Sequence, residues 1–520
     1  MKLFRNGFWP KLLMLLLIFV QLVALAVGTY FFFVNPIQQQ HYYIWALIIW
    51  GVTASLEVFI VLTRSEPDYK IAWMLMIAFF PVLGAVYYLL FANKRTTYRQ
   101  RKRMDRYQRA LPPFLSDQAV KDKVAAAYPE GYRISSYLEN NTGAAIYEQT
   151  SIEYFPLGDE AFPVMLRELG KAHHFIFLEY FIISPGYMWD QIHAILREKA
   201  KEGVDVRLVY DDFGNLGSTP VNFPRNLRRE GIKANVFSPI KPFLNVKMNN
   251  RDHRKICVID GHTGFTGGIN IADEYINRTE RFGHWKDNCI MLQGRGVDGL
   301  TRLFLRNWIA NFEKGWKPLF PDYESGKYIE EIGGYPKSDG FLQPYGDLPF
   351  DYESVGERVY LSILARAKRY VYISTPYLIL DDKLRDTITL AASEGIDVRL
   401  LVPGIPDKQR IFQLTRINYG PLLEAGVRIY EYSPGFVHQK MFVSDDDIAT
   451  DGTINLDYRS LYLHLECGTL ILGSRAVDNM KADFLATIGV SHEVVLKEWE
   501  GWRKHHLLDW AVLRLLAPLL

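Results

Sequence analysis

His253, Lys255 and Asp260 stand in the spacing His-x-Lys-x4-Asp, and His438, Lys440 and Asp445 repeat it. Each string leads to a glycine-containing stretch that ends in asparagine, GGIN at residues 267–270 and GTIN at 452–455. Two copies with identical internal spacing and similar run-ins are hard to explain as packing. The chemistry these side chains fit is phosphoryl transfer at a phosphodiester. One imidazole can attack phosphorus, a second can protonate the leaving oxygen, and ammonium groups can hold the phosphate charge. If the strings are strands, the two-residue step puts each His and Lys on one face. Neither copy alone supplies both an attacking and a proton-donating imidazole.

HRKICVID and HQKMFVSD resemble the HKD motifs of the phospholipase D superfamily. GGINIADEY after the first and NLDYRS after the second are similar to its bacterial cardiolipin synthase branch. The resemblance runs from about residue 149 to the end, and the hydrophobic N-terminus resembles that branch as well. It implies two α/β lobes related by a pseudo-twofold axis and sharing one active site. It further implies that His253 forms a phosphohistidine while His438 protonates the departing glycerol oxygen and later activates the incoming hydroxyl. Asn270 and Asn455 would donate to the phosphate oxygens, with Thr453 assisting. Turn formation after glycine is the plainer role of the two asparagines.

Asp260 and Asp445 belong to the motif, but each ends an apolar strand before a turn, where a carboxylate can hold backbone donors. Asp287, in HWKD, and Glu466, in LHLE, match family positions whose carboxylates orient the imidazoles. Glu179, Tyr180 and Tyr377 resemble pocket-lining positions, with core packing as the alternative for the tyrosines. The other ten histidines are read as surface or packing residues. No group of His, Cys, Asp or Glu has metal-ligand spacing in the sequence, so no metal and no cofactor is expected.

The elements that must position these residues repeat too. The run EGVDVRLV (202–209) has a counterpart in EGIDVRLL (394–401). In each, glycine ends an amphipathic helix and an apolar strand comes next. Strand-like FIFLEYFI (175–182) and YVYISTPYLI (370–379) precede those helices, and EGIKANVFSP (230–239) and AGVRIYEYSP (425–434) come after them. This β-α-β alternation predicts α/β lobes with helices covering buried sheets. Residues 321–350 lack sustained periodicity and read as the interlobe connection. The expected division is a membrane anchor over 1–110, a first lobe over 111–340, and a second over 341–520 ending in a Leu-rich helix.

The 520 residues carry 60 Lys and Arg against 58 Asp and Glu, without the basic excess expected of a nucleic-acid-coating protein. The three cysteines, Cys257, Cys289 and Cys467, read as buried strand residues in a reducing compartment. Residues 12–34, 43–63 and 71–92 are apolar enough to enter a bilayer. Eight basic residues between Lys94 and Arg109 place that segment and the lobes beyond it in the cytoplasm by the positive-inside bias. Two spans plus a re-entrant hairpin turning near Pro81–Gly84 satisfy both ends, and three spans with an external N-terminus is the alternative. Membrane anchoring selects lipid over nucleic acid among phosphodiesters. The resemblance then implies a cell-membrane cardiolipin synthase joining two phosphatidylglycerols with release of glycerol, with anionic membrane lipids as partners. A lipid hydrolase, a headgroup transferase and, less favoured, a nuclease remain as alternatives, and the oligomeric state is not readable.

Overall fold

Runs of Val, Ile, Leu and aromatic residues, bounded by glycine and aspartate, build two sheets. The computed structural model describes residues 39–63, 65–92, 116–240, 250–312, 320–350 and 353–506, with positions 102, 513, 514 and 517. In the first lobe the strands are β1 (Thr150–Phe155), β2 (Phe175–Tyr180), β3 (Asp205–Asp211), β4 (Lys233–Phe237), β5 (Ile256–Ile259), β6 (Thr263–Gly267), β7 (His284–Lys286) and β8 (Cys289–Gly294). The second has β9 (Phe341–Asp347), β10 (Tyr370–Ser374), β11 (Asp397–Pro403), β12 (Arg428–Tyr432), β13 (Gly435–Val437), β14 (Met441–Ser444), β15 (Ile448–Gly452), β16 (Glu466–Leu472) and β17 (His492–Val494).

The strand orders are β1-β8-β6-β5-β2-β3-β4 and β17-β12-β11-β10-β14-β15-β16-β9. Read from β4 and from β12, the two orders coincide strand for strand, and β17 is an added edge. In both, a parallel pair (β2–β3, β10–β11) meets an antiparallel hairpin that starts just after the motif histidine. The helix Tyr187–Lys201 ends before Gly203 and the helix Asp382–Ser393 before Gly395, with φ of 94° and 91°. That left-handed backbone turns each chain back into the sheet at little cost only for glycine.

Helices cover both faces of each sheet. Helices Gly158–Gly170, Tyr187–Lys201 and Phe223–Arg229 cover the outer face of the first sheet, and Gln118–Ala127, Pro129–Thr142, Val355–Leu364 and Asp382–Ser393 that of the second. The inner faces share one continuous core with helices Val297–Phe312 and Arg475–Ile488. Each of these two helices also packs on the other lobe's edge strand, β9 and β1 respectively. Helices 118–142 precede the first lobe in the chain yet pack on the second.

One sequence expectation is corrected here. The segment 321–350 is not only a connection: it holds three short 3-10 turns and then β9, which pairs with β16 from Phe341↔Leu472 to Asp347↔Glu466. Pro344 hides the strand from a pattern search, but β9 is the sheet edge, where a missing N–H is tolerated. Cys257, Cys289 and Cys467 are buried free thiols on β5, β8 and β16.

The N-terminal helices form a separate unit. Gln39–Leu62 is one helix, and its 20-residue stretch Tyr43–Leu62 is long and apolar enough to cross a membrane, about 30 Å at helical rise. The next apolar segment is broken at Phe80 into helices Pro67–Phe79 and Pro81–Tyr87. They fold back tightly enough that a Cβ on Gly84 would lie 2.6 Å from the Met76 carbonyl oxygen. The segment 12–34, nearly all of the basic stretch 94–109 and nearly all of the Leu-rich stretch 507–520 lie outside the described residues.

The motif aspartates belong to this framework. Asp260, at φ 49°, accepts hydrogen bonds from the backbone N–H groups of His173, His174 and Phe175 at 2.7–2.8 Å. Asp445, at φ 57°, does the same for Lys368, Arg369 and Tyr370 at 2.7–3.2 Å. Each carboxylate pins the start of the central strand, β2 or β10, to the turn after the motif strand. Asp260→Ala strips three donors of their acceptor and should cost about 3 kcal/mol. Thermal unfolding of the detergent-solubilised protein measures it, and activity should fall in step with the folded fraction. A variant that kept its stability but lost turnover would place Asp260 in the chemistry instead.

Candidate active site

The two histidines precede β5 and β14 and are held by the opposite lobe. His253 N–H donates to Leu465 O at 2.9 Å, and Leu465 N–H to Arg251 O at 2.7 Å. His438 N–H donates to Lys286 O at 2.7 Å, where β13 and β7 pair in parallel across the lobes. The residue after each acceptor is a carboxylate, Glu466 and Asp287. Glu466 then receives His253 Nδ1–H at 3.0 and 3.1 Å, and Asp287 Oδ2 lies 2.6 Å from His438 Nδ1. Every imidazole is thus oriented by a carboxylate of the other lobe, and one site contains both halves.

The lysines lie within these halves. Lys255 Nζ donates to His253 O at 2.5 Å, and Lys440 Nζ donates to His438 O and sits 2.8 Å from His438 Nδ1. One nitrogen cannot both donate to Asp287 and accept from Lys440, so the second approach is electrostatic when Nδ1 carries the proton. All six groups are buried. Burial lowers both imidazoles, His253 to about 3 and His438 well below its ordinary value, and brings Lys255 down to about 8 and Lys440 to about 7. The carboxylates diverge. Burial pushes Asp287 up to about 7, whereas the imidazole beside Glu466 outweighs burial and holds it below the usual carboxylate range.

Two pairs of residues break the symmetry. Thr453 donates to Glu466 Oε2 at 2.5 Å. Its counterpart is Gly268, where a Cβ would lie 1.9 Å from Asp287 Oδ1, so the shorter carboxylate has glycine above it. His464 is tilted against His253 with ring centroids 5.7 Å apart, and Trp285 takes the matching place against His438 at 5.6 Å. The residues missed in sequence are His464 and Trp285. Aligning HWKD with LHLE, each ending in its carboxylate, would have exposed them.

The asparagines are engaged by protein groups. Asn270 accepts from Ile182 N–H at 3.0 Å and donates to Tyr275 Oη at 2.8 Å, and the Tyr275 ring lies edge-on to His438. Asn455 donates to Asp457 at 3.2 Å. Glu179 pairs with Arg254 at 2.5 Å beneath the first motif, Tyr180 packs in the core, and Tyr377 donates to Asp407 at 2.7 Å. The fold also gathers His253, His464 and Glu466 into a cluster with metal-ligand spacing that no sequence spacing announced.

Two α/β lobes joined by reciprocal His–carboxylate pairs define the phospholipase D class of phosphodiester-transfer proteins. The family model described as "Cardiolipin synthase, PLD-like domain" matches residues 165–303 and 360–488, and "Phospholipase_D-nuclease N-terminal" matches 54–93. The cardiolipin synthase of Geobacillus kaustophilus is 34% identical over 89% of this chain and 91% of its own. That of Halalkalibacterium halodurans is 32% identical over 91% and 93%. A Streptococcus mutans protein described as uncharacterized is 43% identical over 88% and 98%. The phosphatidylserine synthase structure from Haemophilus influenzae shares the fold, with a TM-score of 0.54 and 15% identity over 75% of this chain and all of that one. The chain belongs to the cardiolipin synthase family of the phospholipase D superfamily.

The lysine shifts give a pH test. Lys440 faces Asp287, Lys255, Glu466 and Asp451, and lowering its pKa to about 7 means its charge is present below neutrality and lost above it. Tungstate, a phosphate mimic of constant charge near neutrality, should bind about tenfold more weakly at pH 8 than at pH 6 from this group alone. Lys440→Met should bind weakly throughout, with a shallower dependence. A flat profile in the wild type would show that the ammonium stays charged.

Proposed function

We propose that the protein joins two phosphatidylglycerols into cardiolipin and releases glycerol, with His253 as nucleophile and His438 as proton carrier. The observation that carries the reading is the pair of unequal His–carboxylate couples in one buried site. Glu466 stays ionised, so it takes Nδ1–H of neutral His253 and leaves the Nε2 lone pair free to attack phosphorus. The Asp287–His438 couple holds one proton more near neutrality, because Asp287 is pushed up to about 7. A proton on Asp287 facing Nδ1 leaves Nε2–H on His438, the form that donates to a leaving oxygen.

The steps balance. His253 Nε2 forms a bond to phosphorus as the bond from phosphorus to the glycerol oxygen breaks, and His438 supplies the proton that leaves with glycerol. Asp287 and His438 are then a carboxylate and a neutral imidazole with Nε2 free. That Nε2 takes the proton of a headgroup hydroxyl on the second phosphatidylglycerol as its oxygen displaces His253. Lys255 and Lys440 offset charge on the pentacoordinate phosphorus. The first half-reaction replaces a phosphorus–oxygen bond by a phosphorus–nitrogen bond and the second restores a phosphorus–oxygen bond, so overall one phosphodiester replaces another, no nucleotide is required and direction is set by mass action.

Purified protein given phosphatidylglycerol vesicles alone should form cardiolipin and glycerol, identified by mass. Excess glycerol should reverse the reaction, and labelled glycerol should enter the lipid headgroup with wild type but not with His253→Ala. His438→Ala should lose at least a hundredfold in net synthesis. Release of phosphatidic acid alone, or a need for a cytidine-activated donor, would defeat the reading.

Membrane association is supported by the family and by the apolar helix Tyr43–Leu62. The finer reading is a multi-pass anchor with the catalytic lobes on the cytoplasmic side, supported by the eight cations of residues 94–109. A reporter fused after Arg109 should register as cytoplasmic. An accessible label near Pro67 on that same face supports the hairpin, and an external one supports three spans.

A further inference from the structure

The two halves of the site differ in what lies against the catalytic imidazole. Beside His438 is the indole of Trp285, which offers no lone pair to a metal. Beside His253 is the imidazole of His464, whose ring nitrogens are both buried and lack a hydrogen-bond partner among the described residues. His464 Nδ1 lies 3.8 Å from Glu466 Oε1, and His253 Nδ1 lies 3.0 Å from the same oxygen. One ligand atom from each of the three residues lies within 4.8 Å of the other two. Tetrahedral zinc with bonds of about 2.0–2.1 Å has ligand–ligand edges of about 3.3 Å, between those two distances.

We propose that His253, His464 and Glu466 form a binding site for one divalent transition-metal ion of zinc's chemistry, and that an ion held there arrests the enzyme. Thr453 already occupies Glu466 Oε2, which leaves Oε1 as the ligand and fixes its direction. Two imidazoles and one carboxylate oxygen suit zinc, copper or nickel, and leave a position for water or a phosphate oxygen. The neighbouring Lys255 ammonium repels any cation. It therefore selects against magnesium and calcium, which lack strong bonds to nitrogen to offset that repulsion.

Inhibition is a consequence of proton placement. Coordination uses the Nδ1 lone pair of His253, so the imidazole proton moves to Nε2 and the atom that attacks phosphorus loses its free pair. The ion also takes Glu466 Oε1 from the imidazole it orients. The other three-residue cluster, Asp260, His262 and Glu331, is committed elsewhere: Asp260 to three backbone donors, His262 to Thr263 and Glu331 to His174.

The test uses the full chain, stripped of metal, in detergent micelles. Zinc titrated against a chromophoric chelator should fill one tight site, and X-ray absorption should show nitrogen and oxygen neighbours with two imidazoles and no sulfur. His464→Trp, which copies the other half, and His464→Asn should each weaken binding at least tenfold, while His262→Asn should not. In phosphatidylglycerol vesicles zinc should inhibit wild type reversibly, and each His464 variant should be at least tenfold less sensitive relative to its own metal-free rate. The site is refuted if stoichiometric binding is absent, if it survives in both His464 variants, or if the bound ion has a sulfur ligand. The inhibition rests on the synthase reading, but binding is read without turnover. A protein that binds zinc as described yet makes no cardiolipin would uphold the site and defeat the function.

Discussion

Each motif imidazole takes its orientation from a carboxylate in the opposite lobe, and the rest of the architecture depends on that exchange. In a lone lobe each motif histidine would lose the carboxylate that orients it, Glu466 for His253 and Asp287 for His438. Together the halves place Lys255 and Lys440 with Glu466 and Asp287, and the opposite charges offset part of the desolvation cost within one cluster. The backbone enforces the same pairing: the carbonyls of Leu465 and Lys286 bind the histidine N–H groups one residue before the carboxylates. The inner core and the helices Val297–Phe312 and Arg475–Ile488, each touching both lobes, keep that register fixed.

Within this frame the departures from symmetry support the proposed division of roles. Identical motifs would give two interchangeable histidines, whereas phosphodiester transfer needs one attacking atom and one proton carrier. Glu466 is held by Thr453 and faces His253, which in the proposed mechanism keeps it the orienter of the attacking imidazole. Asp287 lies under Gly268 and is pushed up by burial toward neutrality, so its couple can carry the extra proton. On that proposal the choice is made by what surrounds the motif rather than by the motif itself.

Much of this was legible in the chain because it repeats. The spacing of His253 to Asp260 against His438 to Asp445, the Glu-Gly-x-Asp turns and the Ser-Pro strand ends marked the lobes and their order. Other parts were illegible for specific physical reasons. β9 carries Pro344, which breaks the alternation by which strands are recognised, and it is tolerated only because β9 is an edge. Helices 118–142 precede the first lobe yet pack on the second, and no local pattern encodes a distant partner. His464 looked like one more isolated histidine because its neighbour His253 lies 211 positions away and meets it only through the interlobe pairing.

The ground beneath the motifs shows how two lobes can keep one geometry with different chemistry. In the first, Glu179 on β2 pairs with Arg254, the residue after the motif histidine, and Asn307 bridges Glu179 to Asp252. At the matching positions of the second stand Ser374 and Gln439, joined at 3.3 Å, with Gln439 also donating to Asp483 at 2.9 Å. An ion pair in one lobe is thus a neutral hydrogen-bonded pair in the other. Arg254 also pairs with Asp252 at 3.1 Å, so replacing Arg254 alone would leave two buried carboxyl groups without their cation, at about 3–5 kcal/mol. The histidine above them is held by the opposite lobe in either case, and for that reason the support can differ while the site stays the same.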